Sequence, residues 1–160
     1  MNESSVLNEI NIIKIFEIND LIDVYDKSLR DPIVFPFVNF EEIQSLKNND
    51  SIKIGNGSER FWLRIVDISK DPESILDTIF MGVILNLLQV RKFAPYHQID
   101  NKNNFLIRSG YGEYNTFDWV SCRARNIYQI MTEEERRSTT VNPQIVDEIQ
   151  YIHPDVNYRV

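Results

Sequence analysis

The chain is 160 residues long, 42% apolar and 26% charged, which excludes wholesale disorder and allows a core without disulfide or metal support. The single Cys122 excludes an internal disulfide and any Cys-based metal framework, and it fits a small core residue in a reducing compartment. The formal charge of −7 argues against general nucleic-acid binding but is unevenly spread: residues 1–50 hold four Lys/Arg against ten Asp/Glu, whereas the overlapping stretch 46–132 holds eleven against nine.

No basic stretch leads into an apolar run at the N-terminus, and no apolar run reaches the roughly 18 residues needed to span a bilayer. A soluble, intracellular protein with no membrane partner is expected. Residues 10–18, INIIKIFEI, are β-branched and read as a strand. A helix is expected over Asp20–Arg30, with Asn19 as cap, acids early and Lys27 and Arg30 late, stopped by Asp31-Pro32. Its apolar stripe, Leu21, Ile22, Tyr25 and Leu29, needs a surface to cover. IVFPFV (33–38) reads as an extended connector, and Asn39 before Glu41 and Glu42 starts a short helix. Lys47 to Asp50 form a turn, and two strands surround Gly55-Asn56-Gly57 as a hairpin.

Alternation along the second of these strands puts Phe61, Leu63 and Ile65 on one face and Arg60, Trp62, Arg64 and Val66 on the other. The first set is the natural core face. Residues 71–90 are ambiguous, because their spacing suits an amphipathic helix while Gly82 and the β-branched residues around it suit a buried strand. Residues 91–104 read as a loop, FLIRSGYGEY as a strand ending in a Gly110/Gly112 turn, and DWVSCRARNIYQI as a strand with a short final turn. Thr132 with Glu133, Glu134 and Glu135 caps a short helix, and Asn142-Pro143 opens another carrying Ile145, Ile149 and Ile152.

Three stretches then combine: Glu59-Arg60-Phe61-Trp62, Gly82 through Asn86 to Leu88, and Val120 with Asn126-Ile127-Tyr128. In this order they resemble an uncharacterised family of small domains found mostly in large DNA viruses of protists and in some bacteria. The resemblance covers about residues 46–131 and implies a strongly bent, SH3-like β-barrel, which favours a strand over 78–88. The chain departs from the family in the insert at 70–76, the long loop 91–104, and Cys122 in place of a common aromatic. No catalytic residue carries over. The expected organisation is a mainly β protein with flanking helices: an acidic arm over 1–45, the SH3-like barrel over 46–132 and a helical tail over 133–160.

The chemistry-bearing residues are sparse. Of the two histidines, His97 lies in the expected loop near Asp100 and His153 precedes a proline, so no metal site, cofactor or catalytic group is expected. Gly55-Asn56-Gly57 lacks the Lys-Ser/Thr helix of a phosphate loop and reads as a turn. Glu59, beside Arg60, could pair with Arg64 or with a neighbouring strand and reads as a solvated ion pair. The informative set is Arg60, Trp62, Arg64, Trp119, Arg123 and Arg125, which alternation places on one outward face; tryptophan with arginine suits protein hot spots and base-stacking surfaces alike. The expected function is a non-enzymatic interaction or assembly protein, viral through the resemblance, a minor virion or capsid component found in the virion or host-cell cytoplasm. Its partner would be another protein or another copy of itself, with the arm residues covering Trp62. A nucleic-acid-binding barrel using the Arg/Trp face is the alternative.

Overall fold

The computed structural model describes residues 12–100, 102–103 and 105–138. Eight strands form one mixed sheet: β1 (Ile12–Glu17), β2 (Ser51–Gly55), β3 (Arg60–Ser69), β4 (Ile79–Ile84), β5 (Lys92–Asp100), β6 (Phe105–Tyr114), β7 (Trp119–Arg123) and β8 (Gln129–Ile130). Three short α-helices, α1 (Val24–Arg30), α2 (Phe40–Gln44) and α3 (Glu133–Ser138), and two 3-10 turns, Ile75–Asp77 and Ala124–Asn126, lie between or beside them. The mainly β class with flanking helices is as expected. The SH3-like closure is not: the order is β6-β5-β1-β7-β4-β3-β2-β8, with β6 and β8 as separate edges, so the sheet is open.

β1 explains the difference. It inserts between β5, antiparallel, and β7, parallel, with Ile15 opposite both His97 and Trp119. Residues 12–17 are therefore an inner strand of the sheet, and a boundary at 45/46 runs through one body. The expected Asp20–Arg30 helix also starts later. Asp23 is the cap, its carboxylate accepting from the Asp26 amide at 2.9 Å. Just before it, the Ile22 amide donates to the Gly55 carbonyl at 2.9 Å and the Ile22 carbonyl accepts from Asn126 Nδ2 at 3.0 Å. Those tertiary bonds hold residue 22 out of the helical ladder. α2 starts at Asn39 as its spacing predicts, with Asn39 Oδ1 accepting from the Glu42 amide at 2.8 Å.

The main core gathers Phe61, Leu63 and Ile65 of β3 with Ile52 and Ile54 of β2, Phe80 and Ile84 of β4, Phe16 of β1, and Val120 and Cys122 of β7. The β3 faces thus run as alternation predicts. β4 is a strand, in keeping with the choice made for 78–88, although it ends at Ile84. A Cβ on Gly82 would stand 2.8 Å from the Arg64 carbonyl oxygen, so glycine lets β4 press against β3. The opposite face is buried too, in a second cluster of Ile13, Val66, Val83 and Trp119. Val66 has no partner on β4, because a bulge falls between Ile65 and Asp67.

Residues 92–100, expected as loop, are β5, and β6 runs unbroken through Gly110 and Gly112. The glycines make no turn. Gly110 lies opposite Tyr96, whose ring covers it so closely that an added Cβ would stand 2.5 Å from the hydroxyl oxygen. Pro95, which discourages a strand reading, sits one residue past the β1–β5 pairing, so its missing N–H breaks no bond to β1. α3 has the expected cap, with Thr132 Oγ1 accepting from the Glu135 amide at 3.1 Å and the Glu135 carboxylate accepting from the Thr132 amide at 3.2 Å. The helix expected from Asn142, and His153, lie outside the described residues.

Candidate functional site

The six residues of the expected Arg/Trp face do not share a surface. Arg64 is completely buried, between Ser51 of β2 and Val83 of β4, with its Nε donating to Ser51 Oγ at 2.9 Å. Trp119 is only 6% exposed, because β1 brings Ile13 and Ile15 against it on the face that was expected to be wet. Arg123 and Arg125 are turned to carboxylates: Arg123 to Asp77 at 3.3 Å, and Arg125 to Asp23 at 2.9 Å and Asp77 at 3.5 Å. The hydrogen bond to Asp23 raises the Arg125 pKa further above its ordinary value. These pairs tie the cap of α1 to the two 3-10 turns. Arg60 remains exposed, and Trp62 is half-buried beneath the Lys53 ammonium, 4.7 Å from its ring centre.

The arm residues go elsewhere than Trp62. Leu21 packs on the main core, Ile22 bonds to the Gly55 turn, and Tyr25 sits edge-on to Phe37 with ring centres 5.3 Å apart. Leu29 is 67% exposed. The arm docks on its own chain, at the hairpin turn and the Ala124–Asn126 helix.

Among the described residues Glu59 forms no ion pair with an arginine. Its carboxylate accepts from the backbone amides of Gln89 and Val90 at 3.0–3.2 Å, pinning the segment after β4. Cys122 is a core residue whose thiol is pushed up to about 12 by burial, which keeps it protonated and unreactive. His97, brought onto β5, bonds through Nδ1 to Ser109 Oγ at 3.0 Å and faces Glu17 across 4.0 Å at Nε2. That row has the residue types of a nucleophile relay, yet all three side chains are exposed on an open sheet face. The hydroxyl therefore stands in water rather than in a desolvated site. Among the described residues no group of three His, Cys, Asp or Glu side chains is placed to hold a metal ion, and no helix is long and apolar enough to cross a membrane.

Two features carry recognition chemistry that the sequence pattern did not disclose. One is a cleft at the Gly55–Arg60 turn where Lys27, Phe35, Arg60 and Tyr128 converge. The other is the outer edge of the β5–β6 hairpin. Among the described residues β6 has only β5 beside it, and along it Phe105, Leu106, Ile107 and Tyr111 are 68, 61, 50 and 69% exposed, with the half-exposed Phe93 of β5 stacked on Tyr111 at 6.4 Å. The opposite edge, β8, is two residues long. Proteins commonly protect edges by shortness, charge, proline or bulges; β8 is short, while β6 is long and largely apolar, with Arg108 and the bulge at Ile107 its devices of that kind.

The fold and these surfaces define a mainly β protein built on an open mixed sheet with one long exposed edge. No protein-family model, curated protein or solved structure matches the chain, so the resemblance to viral barrel domains rests on its three motifs alone.

Proposed function

We propose that the protein is a non-enzymatic assembly module that joins copies of itself edge to edge through β6. The observation that carries this reading is the ten-residue edge strand with four large apolar side chains at least half exposed. An edge of this kind presents a row of backbone donors and acceptors, together with apolar surface whose removal from water contributes about 25 cal/mol per Å².

A second copy is the occupant the strand itself favours. Two-fold pairing is antiparallel and sets each strand against its own sequence. With the axis at Ser109, Ile107 faces the copy's Tyr111 twice over, Arg108 faces Gly110, and Phe105 faces Glu113. No like charges oppose each other. Aromatic against β-branched pairs are among the better cross-strand partners, and the bulge at Ile107, which has no partner on β5, frees that side chain for the contact. In the virion setting implied by the motif resemblance, such pairing would supply the minor component as a closed two-fold dimer.

The nucleic-acid alternative, as a continuous Arg/Trp face, has less support: two of its six residues are buried and two are engaged with Asp23 and Asp77. Light scattering across a concentration series tests the assembly reading. The wild-type chain should pass from monomer to dimer, Ile107→Lys should stay monomeric with an unchanged circular dichroism spectrum, and amide exchange along β6 should slow on dimerisation. A wild-type chain that stays monomeric at high micromolar concentration would sink the proposal.

A further inference from the structure

The cleft at the β2–β3 turn holds about 310 Å³ and is walled by α1, the connector after it, the turn and the segment after the Ala124–Asn126 helix. Its floor is aromatic. Phe35 and Tyr128 lie with ring centres 6.2 Å apart and planes inclined by 34°. A cation overlies each ring: the Lys27 ammonium is 5.5 Å from the Phe35 centre and the Arg60 guanidinium 4.0 Å from the Tyr128 centre. Among the described residues neither cation forms an ion pair with a carboxylate, whereas Arg30, Arg91, Lys92, Arg123 and Arg125 all do.

The one acid in the lining is already satisfied. Glu59 turns its carboxylate to the Gln89 and Val90 amides but keeps its charge, so the lining, with Lys27 and Arg60 against Glu59, is positive by one within a chain of net charge −7. The backbone makes room as well. A Cβ on Gly55 would stand 3.0 Å from the Tyr128 ring and 3.2 Å from Arg60 Cγ, so glycine is what lets ring and guanidinium stack here. Gly57, at φ +85°, shapes the rim beside the Ser58 hydroxyl.

From this we infer a binding site for a nucleoside phosphate, one nucleotide in size. The base would stack on the face of the exposed Arg60 guanidinium turned away from Tyr128, and the phosphate would sit between Lys27 and Arg60, with Ser58 able to donate to it. The volume is at the lower end of the range for small-ligand pockets and suits a single nucleotide. Stacked guanidinium and aromatic groups tolerate any base, so selectivity for the base should be weak. The site is independent of β6 and of self-association. Free nucleotide and the phosphorylated end of a nucleic-acid strand offer the same chemistry.

Titration of the full chain with AMP, followed by amide NMR shifts at Gly57 and Ser58 together with calorimetry, tests the site. AMP should bind more tightly than inorganic phosphate or adenosine, and Lys27→Gln and Arg60→Gln should each weaken it by about tenfold, the loss of one charge-assisted contact. Arg60→Lys should recover part of the phosphate affinity but not the stacking gain of AMP over phosphate. A 5′-phosphorylated oligonucleotide binding no more tightly than AMP would assign the site to the free nucleotide. Affinity that needs the 5′-phosphate and exceeds that of AMP would assign it to strand ends. Equal affinity for AMP and phosphate, or tighter binding of phenyl phosphate than of AMP, would overturn the inference, as would shifts confined to residues outside the turn. Lys27 is exposed on α1, so its variant should fold as the wild type does and keep the test decisive.

Discussion

β3 and β6 are both ten residues long, each is half of an antiparallel hairpin, and each carries a run of large apolar side chains. Their fates are opposite. From Phe61 to Val66 every β3 residue but Trp62 is buried, because β2 and β4 flank the strand and both faces of the sheet are covered there. In β6 every residue from Phe105 to Ser109 is exposed, with β5 as its one neighbour among the described strands. Composition barely separates the two strands; position in the sheet order does. An inner strand spends its apolar residues on stability, and an edge strand keeps them for contact.

The contrast can be broken from either side. The largest effect should come from Phe61→Ala, which removes a buried ring from the main core and should cost about 3–5 kcal/mol in denaturant unfolding; a loss below about 1 kcal/mol would mean that β3 is not the packed strand described. Gly82→Ala comes next. The new methyl meets backbone, the Arg64 carbonyl, so the sheet itself must shift, and about 1–3 kcal/mol should be lost. Gly110→Ala is the matching change in β6, but there the obstacle is a side chain, the half-buried Tyr96 ring, which has to turn against Phe16 to make room, and the cost should be about 1–2 kcal/mol. Ile107→Lys should change monomer stability by no more than about 0.5 kcal/mol while removing self-association.

The smallest effect is one of pH. Asp118 closes the turn between β6 and β7, where burial raises its pKa although its carboxylate accepts from the Asn115 amide at 2.6 Å. The folded chain therefore holds this proton more tightly than the unfolded chain. Its contribution is present below the ordinary value of 3.8 and is lost as pH rises through the raised value. Asp118→Asn should flatten that slice of the Tm–pH profile and slightly raise Tm at neutral pH. An unchanged slope would show that the carboxylate is better solvated than its surroundings imply.

Local signals were legible where local physics decides. The inward face of β3, the caps Asn39 and Thr132, the stop after Arg30 and the turn at Gly55-Asn56-Gly57 all depend on residues within a few positions of one another. What failed depended on distant neighbours. Pro95 and the polar stretch around it hide β5, and Gly110 and Gly112 imitate a turn unless Tyr96 is known to lie across from them. Alternation correctly assigned Trp119 and Arg64 to the face opposite the main core, but not that β1 would help to cover it. The cleft was illegible for the same reason, since Lys27, Phe35, Arg60 and Tyr128 come from four separate segments and only the fold assembles them.

The parallel pairing of β1 with β7 sets the order in which the molecule can be made. Ile15 meets Trp119 only after more than a hundred intervening residues have been synthesised, and its other neighbour, His97, is scarcely nearer in the chain. Made ahead of both its partners, β1 must wait for them, whereas the β2–β3–β4 meander can form as soon as it appears. β1 is thus made long before it finds its place, and until it does, the edges of β5 and β7 that it joins stand open to whatever chain is nearby.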